Sequence, residues 1–361
     1  MANWQFALPL SMEILMIDSL PNTTMTAQKP FDRAAPAIEV RDLVKVYGGK
    51  VRALDGLSFT VEAGTVFALL GPNGAGKSTT IKILNTLSRP DSGSARVAGF
   101  DVLKEPERVR RAIGCVAQKS GIDLEGTGRE NLTLQGRIYG LRGQELKDRV
   151  GELLKRFRLD EAADSVARTY SGGMQRKLDI AMGLVHSPRV LFLDEPTTGL
   201  DPEARAGLWE DISRLANEEG ITVLLTTHYL EEADQLARRL AIVDRGKLVV
   251  EGAPDQLKGE LLGDAIHIEF ASAEAESRVR EAIERLDGLS EIVVDGHSLH
   301  ARAAQGATAV PGTLAALESK GLKVASVKVA RPSLDDVYLH YTGRTFSEAD
   351  QGAQMGPKGA R

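Results

Sequence analysis

The chain has 361 residues, 42% of them apolar and 26% charged, with a formal net charge of -5. That length corresponds to two domains at roughly 150 residues each, and the mild acidity argues against a protein whose main task is gripping nucleic acid. The single cysteine, Cys115, excludes an intramolecular disulfide and an all-cysteine metal site. No run reaches about 18 uncharged apolar residues, so no transmembrane helix is expected. The stretch 4–20 is broken by Glu13 and Asp18 and lacks the basic start and cleavage site of a signal peptide. A soluble, cytoplasmic protein is the expectation.

Residues 1–36 read as a disordered leader ending in a proline-rich patch, with Met25 opening a polar segment that could serve as the true start. Strand and helix signals then alternate. Residues 38–40, 57–61 and 65–70 read as strands, and 77–87 as a helix. Residues 190–193 and 222–226 are short apolar runs of the kind buried in a parallel sheet. Between them Ala204, Leu208, Ile212 and Leu215 form a helical stripe. Residues 240–250 read as a closing hairpin with Gly246 in its turn. This is an α/β layout with room for a helical insertion near 126–185. Beyond it, residues 266–270, 274–286, 291–294, 298–302, 307–320 and 324–330 read strand, helix, strand, strand, helix, strand. That order suggests a small α+β, ferredoxin-like βαββαβ domain over 256–345, followed by a disordered tail over 346–361. His267, His297 and His300 in it show no metal-ligand spacing and read as solvated or structural.

Residues 71–79 read GPNGAGKST and fit G-x-x-x-x-G-K-[ST] between an expected strand and an expected helix. A triphosphate needs several converging backbone N–H donors, so side chains must be absent where the chain wraps closely. Gly71, Gly74 and Gly76 permit that, and the loop from Asn73 and Ala75 to Thr79 ends on a helix N-terminus, which favours anions. Lys77 can reach the β- and γ-phosphates, and the Ser78 hydroxyl can ligate Mg²⁺. Residues 190–196 read VLFLDEP, an apolar strand ending in two carboxylates. Open α/β sheets bind ligands at that edge. Asp194 suits Mg²⁺ and Glu195 suits a general base that polarises water. The plain alternative is a strand cap that exits into solvent.

Together these segments resemble the ATP-binding cassette family of P-loop NTPases. Residues 170–175, YSGGMQ, look like the family signature usually written LSGGQ, with Tyr170 for leucine and Met174 for glutamine. Ser171 alone could be an ordinary N-cap; the pair Gly172–Gly173, about 20 residues before the acidic strand, goes beyond that. The resemblance covers roughly 37–255 and implies a mixed-sheet core with a helical and a β-subdomain, binding ATP and Mg²⁺. It implies that Tyr47 in KVYGG stacks on adenine and that Gln118 joins the metal and senses a membrane partner. It places Asp201 in TTGLDPEAR on the loop that speaks across a dimer, and gives His228 the switch role toward the γ-phosphate. One phosphate loop and one signature per chain imply a homodimer with ATP sandwiched between copies. The absent membrane span implies a separate integral permease, docked near 118–139, and a location on the cytoplasmic face of the membrane. Residues 332–344, PSLDDVYLHYTGR, with YSGGM and with TTHYLEEADQLA at 226–237, are similar to daunorubicin-resistance-type ATP-binding subunits of drug and antibiotic exporters. An importer subunit, or a soluble cassette ATPase acting on ribosomes or DNA, is the alternative. The second cassette, basic linker or long coiled coil of those soluble types is not seen.

Overall fold

The computed structural model describes residues 35–354 apart from 285 and 287. The expected disordered leader, as far as residue 34 and including Met25, lies outside the described residues, as does the tail beyond 354. The chain divides into two compact units between Leu248 and Val249.

The first unit opens with β1 (Ile38–Tyr47), β2 (Val51–Val61), β3 (Val66–Leu70), α1 (Lys77–Leu84), β4 (Ser92–Val97) and β5 (Phe100–Asp101). It continues with α2 (Pro106–Ala112), β6 (Ile113–Val116), α3 (Gly128–Ile138), α4 (Gly143–Arg156) and α5 (Gly172–Gly183). Then come β7 (Val190–Asp194), α6 (Pro202–Asn217), β8 (Thr222–Thr227), α7 (Leu230–Leu236), β9 (Arg239–Asp244) and β10 (Lys247–Gly252), in which the division falls.

β3, β7 and β8 are short, largely apolar and buried along nearly their whole length. Strands of that kind need cover on both faces, the situation of a parallel sheet. They lie in a six-stranded sheet of order β10-β9-β3-β8-β7-β6. β3 pairs in parallel with β8 and β9, and β7 with β8 and β6. β8 therefore separates β3 from β7, and the rungs Leu70–Thr227 and Asp194–Thr226 bring their three carboxyl ends to one edge.

A second, antiparallel sheet has the order β2-β1-β4-β5. Its Leu43, Leu54 and Leu57 share a core with Phe67, Ile81, Leu84 and Phe192. The strands are much longer than the segments read from sequence. Register shifts between Val40 and Val46, with Asp42 at φ 49°, break the alternation on which a period-two reading relies. In the helical insertion, the signature helix begins at Gly172 rather than near residue 176. Ser171 Oγ accepts from the Met174 N–H at 3.2 Å, which turns both glycines into the first helical turn.

The second unit holds α8 (Pro254–Glu260), β11 (Asp264–Phe270), α9 (Glu276–Ile283), β12 (Leu289–Asp295), β13 (Ser298–Ala303), α10 (Gly306–Ser319), β14 (Val324–Ala330), α11 (Leu334–Thr342) and α12 (Phe346–Gln354). Its strands form an antiparallel sheet of order β12-β13-β11-β14. Ile266, Ile268 and Leu299 pack with Val279, Ile283 and Leu317 of the helices. His267 and His300 are a cross-strand pair, with Nδ1 atoms 2.8 Å apart.

Residues 346–354, expected as loose tail, form α12 instead. A reciprocal cap starts it: the Thr345 N–H donates to Glu348 Oε2 at 2.8 Å and the Glu348 N–H to Thr345 Oγ1 at 3.2 Å. Phe346 and Ala349 are buried, and the Phe346 ring meets Tyr338 edge-on at 5.0 Å. The polar, glycine-rich composition concealed these two anchors. Phe346→Ala is expected to lower the opening free energy of the α11 amides by about 3 kcal/mol, read by native-state hydrogen exchange. Unchanged protection would contradict this packing.

Candidate active site

After β3 the chain turns back through residues 71–79 into α1. The glycines here are required by packing as well as by any ligand. A Cβ on Gly71 would lie 2.3 Å from the Val243 carbonyl oxygen, and one on Gly76, at φ 110°, would lie 2.6 Å from that of Ala53. The β9–β10 turn holds the loop in place. Arg245 and Gly246 both have positive φ, 49° and 79°, as a type I′ turn requires. The Gly246 N–H donates to the Ala75 carbonyl at 2.9 Å, and the Gly246 carbonyl accepts from the Asp55 N–H at 2.9 Å. Lys77 is buried, and its Nζ donates to the carbonyls of Gly71 at 2.6 Å and Pro72 at 3.1 Å. Asn73, Gly74 and Ser78 are exposed, Thr79 is half-buried and Ala75 is buried.

Glu195 stands at the end of β7 with φ 47°, a left-handed conformation uncommon outside glycine. Its N–H donates to both the carbonyl and the Oγ1 of Thr226, each at 3.1 Å. The same Thr226 hydroxyl donates to Asp194 Oδ1 at 2.5 Å. One carboxylate oxygen of Glu195 lies 3.1 Å from His228 Nδ1 and 3.9 Å from Lys77 Nζ. The other accepts from Gln118 Nε2 at 3.1 Å and from Thr198 Oγ1 at 3.3 Å. His228 and, more weakly, Lys77 hold this carboxyl below its ordinary value of 4.5 against the opposing effect of burial. Five residues named from the sequence, Lys77, Gln118, Asp194, Glu195 and His228, thus come together at one sheet edge. They form an ionised carboxylate beside a buried cation and an imidazole, able to activate water next to an anion.

The other named residues sit apart from this cluster. Ser171 and Gly172 are exposed at the start of α5, and a Cβ on Gly173 would meet the Ala204 Cβ at 2.9 Å. Asp201 caps α6, its Oδ1 accepting from the Ala204 N–H at 2.8 Å. Tyr47 is 41% exposed, with Lys45 Nζ 5.4 Å above its ring. It pairs with Val51 near the tip of the hairpin whose Ala53 touches Gly76. Tyr170, which replaces the family leucine, is buried, and its hydroxyl donates to the Ala162 carbonyl at 2.7 Å. A Cβ on Gly128 would meet that hydroxyl at 2.3 Å, so the glycine accommodates the larger ring.

Sequence reasoning missed two residues at the edge. Thr226 carried a signal, a buried hydroxyl late in an apolar strand. Arg176 carried none. It is buried on α5, and its guanidinium reaches three main-chain carbonyls of other segments.

The family model described as ABC transporter matches residues 54–198. The daunorubicin resistance ATP-binding protein DrrA3 of Streptomyces coeruleorubidus is 45% identical over 310 residues, spanning 86% of this chain and 97% of that protein. The chain belongs to the ABC transporter family, as an ATP-binding subunit. The Nod factor export ATP-binding protein I of Sinorhizobium fredii is 40% identical over 314 residues, 86% of this chain and 88% of that protein. A solved dimeric, post-hydrolysis ATP-binding cassette bound to ADP and Pi is 27% identical, with a TM-score of 0.54 over 60% of this chain and 98% of that one. This ABC subunit is therefore a nucleotide-binding, ATP-hydrolysing transport ATPase.

The lowered Glu195 pKa has a definite sign. Its folded value lies below the unfolded one, so ionised Glu195 stabilises the ABC subunit above about 4.5, and this is lost as pH falls through the lowered value. In nucleotide-free protein the ¹³C-carboxyl resonance of Glu195 is expected to titrate below 4.5, and His228→Ala to move its midpoint upward. A wild-type midpoint at or above 4.5 would contradict the geometry.

Proposed function

We propose that this chain is the motor subunit of an exporter of a drug, antibiotic or other hydrophobic metabolite, hydrolysing ATP at the Lys77–Glu195–His228 edge. The observation that carries the reading is the Glu195 carboxylate, held between His228, Gln118 and Lys77 at the end of a parallel strand. Glu195 takes the proton of a water that attacks the γ-phosphorus, and the bond to the bridging oxygen breaks to leave ADP and phosphate. Lys77 is placed to turn from its loop carbonyls toward the β- and γ-phosphates, where charge accumulates. His228, beside Glu195, keeps the carboxylate ionised and faces the same anion. The backbone N–H groups from Asn73 to Thr79 form the phosphate cradle, which the crowded Gly71 and Gly76 keep free of side chains. Tyr47, exposed near the tip of the adjoining hairpin, suits stacking on the adenine.

An all-oxygen donor set fits a hard divalent cation. Ser78, Gln118 and Asp194 would hold Mg²⁺, which when bound neutralises phosphate charge.

Ser171 and Gly172 are exposed where α5 begins, and with Gly173 they form a helix N-terminus, which favours anions. Two copies facing each other would place them over the partner's ATP, with Asp201 near the seam. The dimeric state of the similar ADP-bound cassette supports this arrangement. Among the described residues no helix is long and apolar enough to cross a membrane. A transporter subunit of this kind works through a membrane permease, and we place it at the cytoplasmic face. The resistance and export roles of the relatives favour efflux over import or work on ribosomes or DNA. The strand order of the second unit supports a ferredoxin-like domain over 256–345.

Glu195→Gln is expected to keep ATP binding, to run as a dimer in gel filtration with ATP and Mg²⁺, and to lose about 100-fold or more in turnover. Wild-type turnover in this variant would remove Glu195 from its role.

A further inference from the structure

We infer that Arg176 is a positioning residue that sets the Glu195 carboxylate and the Gln118 amide relative to each other. Its Nε donates to the Pro196 carbonyl at 2.8 Å, one terminal nitrogen to that of Ala117 at 2.8 Å, and the other to that of Asp194 at 3.1 Å. These are the residues immediately before Gln118 and on both sides of Glu195. One planar fork thus grips the peptides flanking each of the two side chains that meet at 3.1 Å. Arginine suits the task because its donors are fixed in a plane, whereas a lysine ammonium is a compact point charge.

The need for such a brace follows from Glu195 itself. Its left-handed φ of 47° is a sparsely populated conformation that persists where the surroundings over-determine it. Thr226 fixes the Glu195 N–H, and Arg176 fixes the carbonyls before and after it. The brace extends to the Gln118 segment. Asp179, one turn along α5 and 3.9 Å from Arg176, accepts the Gly121 N–H at 3.1 Å. Residues 117–121 are therefore held at both ends by one helix, the helix that Ser171 begins. A displacement at the exposed start of α5 reaches Gln118 and Glu195 through this buried pair.

The inference rests on the proposed role of Glu195, so its test runs beside Glu195→Gln. Arg176→Lys keeps the charge and loses the fork. It is expected to bind a fluorescent ATP analogue within about twofold of wild type, to keep KM for ATP, and to lose kcat by about tenfold or more, within the range that a misplacement of 1 Å can cost. The double variant R176M/D179N removes both buried charges together, so neither charge is left unpaired, releases the three carbonyls that Arg176 holds, and keeps an acceptor for Gly121. It is expected to show the same split between KM and kcat and so covers a lysine variant that fails to fold. Wild-type kcat in either folded variant would overturn the inference. So would a loss of nucleotide affinity that matches the loss of kcat. Full turnover in Glu195→Gln would instead overturn the reading of the site on which it rests.

Discussion

β8 lies between β3 and β7, and the chemistry of the first unit depends on that order. Parallel strands deliver their carboxyl ends to one edge. With β3 and β7 separated by a single strand, the lysine that follows one and the glutamate that follows the other come within 3.9 Å. His228 follows the strand between them and touches the same carboxylate. Moving β7 away from β8 would leave every motif intact in sequence and separate Glu195 from Lys77 and His228.

Keeping the cluster tight falls to residues that act through the backbone around it. Gly246 joins the phosphate loop to β2 through two backbone hydrogen bonds. Thr226 links Asp194 to the Glu195 backbone with one hydroxyl. Arg176 grips the segments on either side. The cluster is nonetheless one-sided. Ser171 and Gly172 lie exposed at the start of α5, which is why two facing copies make the more complete proposal.

Much of this was legible in the residues. The loop 71–79 and the run 190–196 carry their chemistry in local pattern, because backbone donors and strand-end carboxylates need particular residue types at fixed spacing. The βαββαβ element order was readable from simple periodicity. Three features were hidden for physical reasons. β1 and β2 are bulged, so alternation fails along them. α12 rests on a Thr345–Glu348 cap and one buried phenylalanine within a polar stretch. Arg176 acts through main-chain carbonyls of distant segments, and carbonyl partners leave no mark in a sequence.

In the proposed dimer one copy's phosphate cradle works with the other copy's signature, and a complementation assay distinguishes this from a site complete within one chain. Lys77→Ala and Ser171→Arg are each expected to be inactive as pure proteins. Mixing them forms mixed dimers with one intact composite site, and ATP hydrolysis is expected to return. A mixture as inactive as its parents, with mixed dimers demonstrably formed, would contradict the account.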